Sequence, residues 1–137
     1  LGAFKSGAQK DAVMTPMAQA LSDADVQNLA AYYGTLSCKA PASKPQSGDV
    51  GVGKVLAKNC AVCHGETGLA SNPAWPNLAG QKAGYLVNML KAFRAGLRKD
   101  PTMAGVSRGL SDTDIANLAA YYSVQVCPAT TQGGAKR

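Results

Sequence analysis

Histidine, tryptophan and charge are scarce in this 137-residue sequence, which has one His, one Trp and 16% charged residues. An average soluble chain carries roughly 25% charge. With 46% apolar residues beside that low charge, the composition excludes a disordered chain. No apolar run reaches the roughly 18 to 20 uncharged residues of a membrane-spanning helix, so the chain reads as soluble unless a partner or a further segment anchors it. No sustained apolar–polar alternation is present to build a sheet. An initiator Met and a basic-then-apolar leader are both missing ahead of Leu1, which reads as a processed or truncated N-terminus. The length favours one domain, or two very small ones.

Fourteen Lys and Arg against eight Asp and Glu give a net charge of +6. The positive residues are scattered singly, as in Lys54, Lys58, Lys82, Lys91, Arg94, Arg98 and Lys99. Nucleic-acid binding wants a concentrated stripe and is set aside. A solvated surface is the default reading, and a docking face for an acidic protein partner is the functional one.

The chain contains an internal repeat. Leu21 to Tyr33 aligns with Leu110 to Tyr122 at an offset of 110 − 21 = 89. Without a gap, the same offset puts Ala3-Phe4 on Ala92-Phe93, Gly7 on Gly96, Lys10-Asp11 on Lys99-Asp100, Met14 on Met103 and Cys38 on Cys127. About half of the first 38 positions match, which chance does not produce over such a length. The second copy is preceded by residues 50–89, which have no counterpart ahead of Leu1, so the first copy reads as the back half of a domain. Between the copies, residues 39–49 form a Pro/Ser/Lys linker that can bury nothing. Residues 129–137 read as a flexible tail.

The local pattern is helical throughout. Val52, Val55, Leu56, Cys60 and Cys63 recur at helical spacing and are expected to share one face. Tyr85, Leu86, Met89, Leu90 and Phe93 form a second stripe, and Ile115, Leu118, Ala119 and Tyr122 a third. Ser22 and Ser111 suit helix caps, each with two Asp in the first turn facing the positive dipole end. Each Tyr-Tyr pair is expected to turn one ring to the core and one outward. Residues 65–84, rich in Gly, Pro and Asn, read as loop.

Cys60-Ala61-Val62-Cys63-His64 is C-x-x-C-H, the attachment signature of c-type haem. Two thiols three residues apart on a helical turn can reach both vinyl groups of one porphyrin edge, and the next residue, His64, is carried under the iron. Zinc would want a second ligand pair, but Cys38 and Cys127 stand alone and there is no second His. Thiol–disulfide exchange would want a βαβ context. A sixth ligand closes the iron, and in the second copy the candidates are Met89 and Met103. Met89 sits on an apolar helix stripe, where Met is ordinary filling. Met103 is expected in an interhelical loop, where an exposed thioether is harder to justify as packing, so Met103 is the expected ligand. Soft sulfur favours the reduced iron. His/Met ligation leaves no site for substrate, so the task is outer-sphere transfer of single electrons rather than catalysis.

The motif Cys60 to His64, the loop from Pro76 to Gln81, the helix from Tyr85 to Arg94, Met103 and the closing helix from Leu110 to Tyr122 together resemble a class I cytochrome c. The repeated halves with their linker resemble more closely the two-haem cytochrome c4 group of bacterial periplasmic electron carriers, over about residues 1 to 126. The resemblance implies an all-α fold with one complete haem domain, residues 50–128, and the C-terminal part of a second, residues 1–38. It implies haem c bound through Cys60 and Cys63, with His64 and Met103 as iron ligands and the Pro76 carbonyl fixing the His64 tautomer. Met14 would then be axial to a second haem whose attachment motif falls upstream of Leu1, at 64 − 89 = −25. Met17 competes with Met14, but its counterpart is Val106.

Cys38 and Cys127 follow the last helix of each copy. In a two-domain protein with a pseudo-two-fold axis such points can meet. Haem attachment implies an oxidising compartment, so a Cys38–Cys127 disulfide is one reading, with free thiols or pairing to an upstream Cys as the others. Trp75, Tyr85 and Phe93 either wall the haem or fill core. Arg94 and Arg98 either meet haem propionates or lie solvated. The function expected from the resemblance is periplasmic electron transfer, from a quinol-oxidising complex to a terminal oxidase, by a soluble or peripherally membrane-associated carrier. The alternative is a fixed electron-entry subunit of a larger redox complex.

Overall fold

A computed structural model describes residues 1–36 and 47–126 of the chain. The Cys38–Cys127 pairing, most of the linker and the tail beyond residue 126 lie outside the described residues. The described residues form short helices and no strand: α1 (Gly2–Lys5), α2 (Met14–Gln19), α3 (Asp23–Thr35), α4 (Val50–Leu56), a 3-10 turn (Ala57–Asn59), α5 (Ala61–His64), α6 (Ala83–Arg94), α7 (Pro101–Ser107) and α8 (Asp112–Ser123).

The core is the crossing of α4 and α6 on α8. Ile115, Leu118, Ala119 and Tyr122, the expected stripe, are all buried, with Leu86, Ala57 and Tyr121. Glycine sets how closely α4 approaches. A Cβ on Gly53 would stand 2.1 Å from the Asn117 carbonyl oxygen on α8, so only a bare backbone fits there. Asn117 also accepts, through Oδ1, the Asp49 N–H at 2.7 Å, and Asp49 in turn caps α4 by accepting the Val52 N–H. One helix thereby fixes both the entry and the crossing of the other.

Both α3 and α8 begin with a reciprocal capping box. Ser22 and Asp25 exchange bonds in the first, Ser111 and Asp114 in the second. An ion pair repeats as well: Lys5 with Asp23, and Arg94 with Asp112, each at equivalent positions. Burial does not repeat. Almost the whole of α8 beyond its first turn is buried, whereas α3, with nearly the same sequence, has no buried residue. The difference lies in what packs on each helix: α4 and α6 cover α8.

That difference corrects the expected Tyr arrangement. Tyr121 and Tyr122 are both buried and Tyr32 and Tyr33 both exposed, although each pair keeps an edge-to-face contact, at 5.1 and 5.4 Å. The single face expected for residues 52–63 is also corrected. Leu56 and Cys60 pack on the core while Val52 and Val55, within the same helix α4 as Leu56, face solvent.

Candidate haem site

The C-x-x-C-H motif sits where the chain turns twice in seven residues. Cys60 closes the 3-10 turn and starts α5, whose backbone bonds run from the Cys63 and His64 N–H groups to the Cys60 carbonyl at 3.2 and 2.9 Å. Gly65 stops the helix at φ 76°, a region that side chains avoid, and a Cβ there would strike the Leu69 carbonyl oxygen at 2.1 Å. The stop turns the chain immediately after His64.

His64 is buried, and its Nδ1 lies 2.9 Å from the Pro76 carbonyl oxygen. That oxygen can only accept, so Nδ1 carries the proton and donates. Nε2 keeps its lone pair for a metal, and the bond orients the ring. The loop that carries Pro76 is pinned to α8 and to itself. Tyr121 donates through its hydroxyl to the Glu66 carbonyl at 2.8 Å, the Gly80 N–H donates to the Tyr122 carbonyl, and the Leu78 and Ala79 N–H groups share the Gly68 carbonyl. Cys60, Cys63, His64 and Pro76 thus come together on a backbone set by α8.

Cys60 and Cys63 are free, half-buried thiols. Burial pushes the Cys60 thiol up. Beside it, the Tyr122 hydroxyl is buried against the Cys60 thiol. Burial first, and then the neighbouring Cys60 thiol, push that phenol far above its ordinary value. Sequence reasoning placed Tyr122 only as core. Its interaction with the first attachment thiol puts Tyr122 beside the site.

These observations fit haem c. Two thiols, one for each vinyl group, and one imidazole with a free Nε2 are the set that a covalently tethered porphyrin requires. Among the described residues no three His, Cys, Asp or Glu side chains gather as a metal cage.

The two methionine candidates separate. Met103 is half-buried and lies in the first turn of α7 rather than in the expected loop, because Asp100 caps the helix by accepting the Met103 N–H at 2.8 Å and Pro101 opens it. Met14 stands at the start of α2, its N–H donating to Asp11 Oδ1 at 2.8 Å beside that of Val13, while Met17 is exposed. Met89 is engaged elsewhere. Its Sδ accepts from Arg98 Nη1 at 3.0 Å and from Gln9 Nε2 at 3.7 Å. Arg94 is also occupied, donating to the Leu110 carbonyl and to Asp112, and Arg98 stacks 4.7 Å from the Phe93 ring centre. Phe93 is buried, whereas Trp75 and Tyr85 are exposed.

The family model described as Cytochrome c matches residues 52–123. The cytochrome c-554(548) of Halomonas halodenitrificans is 45% identical over 82 residues, covering 58% of this chain and 99% of that protein. The thiosulfate dehydrogenase electron acceptor of Stutzerimonas stutzeri is 34% identical over 134 residues, covering 88% of this chain and 62% of that protein. The solved cytochrome c4 of Acidithiobacillus ferrooxidans aligns with a TM-score of 0.77 at 29% identity, over 90% of this chain and 78% of that one. The chain therefore spans nearly all of one relative and less than two thirds of another.

Proposed function

The chain belongs to the cytochrome c family as a class I member, and on that premise we propose that it carries single electrons in the periplasm between a quinol-oxidising complex and a terminal oxidase. Its cofactor is covalent haem c, whose attachment motif is Cys60, Cys63 and His64. Bound haem supplies an iron that exchanges one electron without a change of covalent partners. The chain's residues do the rest. Cys60 and Cys63 anchor the porphyrin. His64 Nε2 would be one ligand to the iron, its tautomer fixed by the Pro76 carbonyl, which strengthens its donation. Met103 would be the other, and its neutral sulfur would favour the reduced state. With both in place the iron would have no position for a substrate.

The observation that carries this reading is the 2.9 Å contact of His64 Nδ1 with the Pro76 oxygen, next to two free thiols. The test is carbon monoxide binding by the reduced holoprotein at neutral pH. Six-coordinate iron should resist it, and ready binding would overturn the assignment of Met103. The fixed-subunit alternative is separated by gel filtration of native extract.

We further propose that residues 1–38 are the rear of a first haem domain, with Met14 axial to its haem, joined through residues 39–49 to the complete domain at 50–128. The bare face of α3 supports this, since the same sequence in α8 is buried wherever its neighbour exists. Intact mass with a haem count on protein from the source cells tests it. A second reading of the partner is favoured by the Stutzerimonas relative, which covers most of the chain: this cytochrome accepts electrons from a thiosulfate-oxidising enzyme. Reduction of the holoprotein by such an enzyme plus thiosulfate, faster than by a quinol-oxidising complex, would select it.

A further inference from the structure

The two attachment thiols are held differently. Cys60 packs on the buried cluster that contains Ala57, Leu86, Leu118 and Tyr122, and its N–H donates to the Ala57 carbonyl at 2.9 Å. Cys63 is also half-buried but is not among the side chains on that cluster. It lies within α5, next to the exposed Val62. One thiol is set against the core and the other is not.

What Cys60 meets there is the Tyr122 hydroxyl. The phenol is held from several sides. Gly68 lacks the Cβ that would stand 2.8 Å from the Tyr122 ring, so bare backbone admits the ring. The Gly80 N–H donates to the Tyr122 carbonyl at 2.9 Å, and the Tyr121 ring meets the Tyr122 ring edge-on at 5.1 Å. Tyr122 is buried, so close packing keeps the hydroxyl on Cys60. Burial raises the Cys60 thiol and the Tyr122 contact works the other way, while burial and the Cys60 contact both raise the phenol. Those are the signs of a phenol O–H donating to sulfur.

Haem attachment is an addition. The S–H bond breaks, sulfur bonds to the inner carbon of a vinyl group, and the hydrogen goes to the terminal carbon. No group leaves, and no outside oxidant or reductant is consumed. The thiolate is the nucleophile, and a thiol in apolar surroundings ionises poorly. A hydroxyl that donates to the sulfur offsets that penalty as charge develops on it. We propose that Tyr122 is a positioning residue for haem attachment, its buried hydroxyl holding and activating the Cys60 sulfur for addition to one vinyl group. Cys63 reacts without such help. This rests on haem c as the cofactor.

The full chain, as wild type, Tyr122→Phe and Tyr121→Phe, is produced in cells that attach haem, then unfolded, treated with iodoacetamide and mapped by peptide mass. Tyr121→Phe is the control, because it also loses a hydroxyl from α8, the donor to the Glu66 carbonyl. Tyr122→Phe should raise the alkylated fraction of Cys60 in haem-bearing protein about tenfold over wild type, the effect of one lost bond to a developing charge. Cys63 should stay bonded. The pyridine haemochrome band of that fraction should move to longer wavelength, because one vinyl group stays conjugated. Tyr121→Phe should match wild type in both readouts. Wild-type alkylation in Tyr122→Phe overturns the role of Tyr122. So does release of both thiols together, loss of all haem from Tyr122→Phe, or equal release in Tyr121→Phe, each of which marks a general loosening of the fold. Wild type without covalently held haem would instead overturn the cofactor reading.

Discussion

Gln9 and Arg98 pair across the structure in an isolated antiparallel bridge, and they are the same position of the two copies, since 98 − 9 = 89. The surroundings repeat too. The Gln9 N–H donates to the Ala3 carbonyl at 2.9 Å, the Arg98 N–H to the Ala92 carbonyl at 3.1 Å, and each follows a left-handed glycine, Gly7 at φ 78° or Gly96 at φ 71°. Contact between equivalent residues running in opposite directions is what a two-fold axis produces. The side chains break the symmetry, because both converge on one sulfur, that of Met89.

Removing the Arg98 side chain should loosen the packing around Met89, on which the Gln9 side chain of the other copy also rests. Arg98→Ala loses the stacking on Phe93 and the bond to Met89, together about 1 to 2 kcal/mol. Lys99→Ala, at an exposed neighbour, should stay within about 0.5 kcal/mol. Denaturant unfolding of the holoprotein measures both, and equal effects would mean that this packing contributes nothing.

Met103 and Met89 predict opposite phenotypes. Met103→Ala should give high-spin iron and a lower reduction potential, because the sulfur that favours reduced iron is gone. Met89→Ala should leave the spectrum low-spin and reduce stability by about 1 to 2 kcal/mol, less than a fully buried Met because it is half-exposed. Absorption spectra and a redox titration decide. High-spin Met89→Ala would exchange the two assignments.

Most of the site is legible in the residues themselves. C-x-x-C-H names its chemistry through spacing, and the loop to Pro76 is marked by Gly, Pro and Asn. The α8 stripe reads directly because its periodicity coincides with its burial. The same pattern misleads at α3, because periodicity records what a helix could cover and not whether a neighbour is present. Tyr32 and Tyr33 are exposed for that reason. Val52 and Val55 are exposed in α4 although they match its apolar period, because Gly53, Leu56 and Ala57 supply the side that meets the core. The Gln9–Arg98 pairing was implicit in the repeat, but an offset alone carries no direction of contact.

Asp112 should report its ion pairs in acid. Lys91, and after it Arg94, hold its carboxyl down from the ordinary 3.8 to about 2. A carboxyl depressed in the folded state stabilises at pH above its unfolded value, and that contribution disappears as pH falls from about 3.8 through about 2. Lys91→Gln should raise the Asp112 midpoint measured by carboxyl NMR. A wild-type midpoint at the ordinary value would mean that the pairs do not form in solution.

Ser107 offers a gain. It is fully buried in α7, and its hydroxyl has no partner among the described residues. The first copy has Ala18 at the equivalent position, equally buried, so the fold itself shows that the site takes a methyl group. An unmet buried hydroxyl costs about 1 to 3 kcal/mol, and Ala is the better helix former. Ser107→Ala should raise the denaturation midpoint of the holoprotein by an amount equivalent to about 1 kcal/mol, with the slope unchanged. Ala18→Ser should lower it by a similar amount. A loss of stability in Ser107→Ala would show that the hydroxyl is satisfied in the holoprotein, which would place the cofactor or a water against α7.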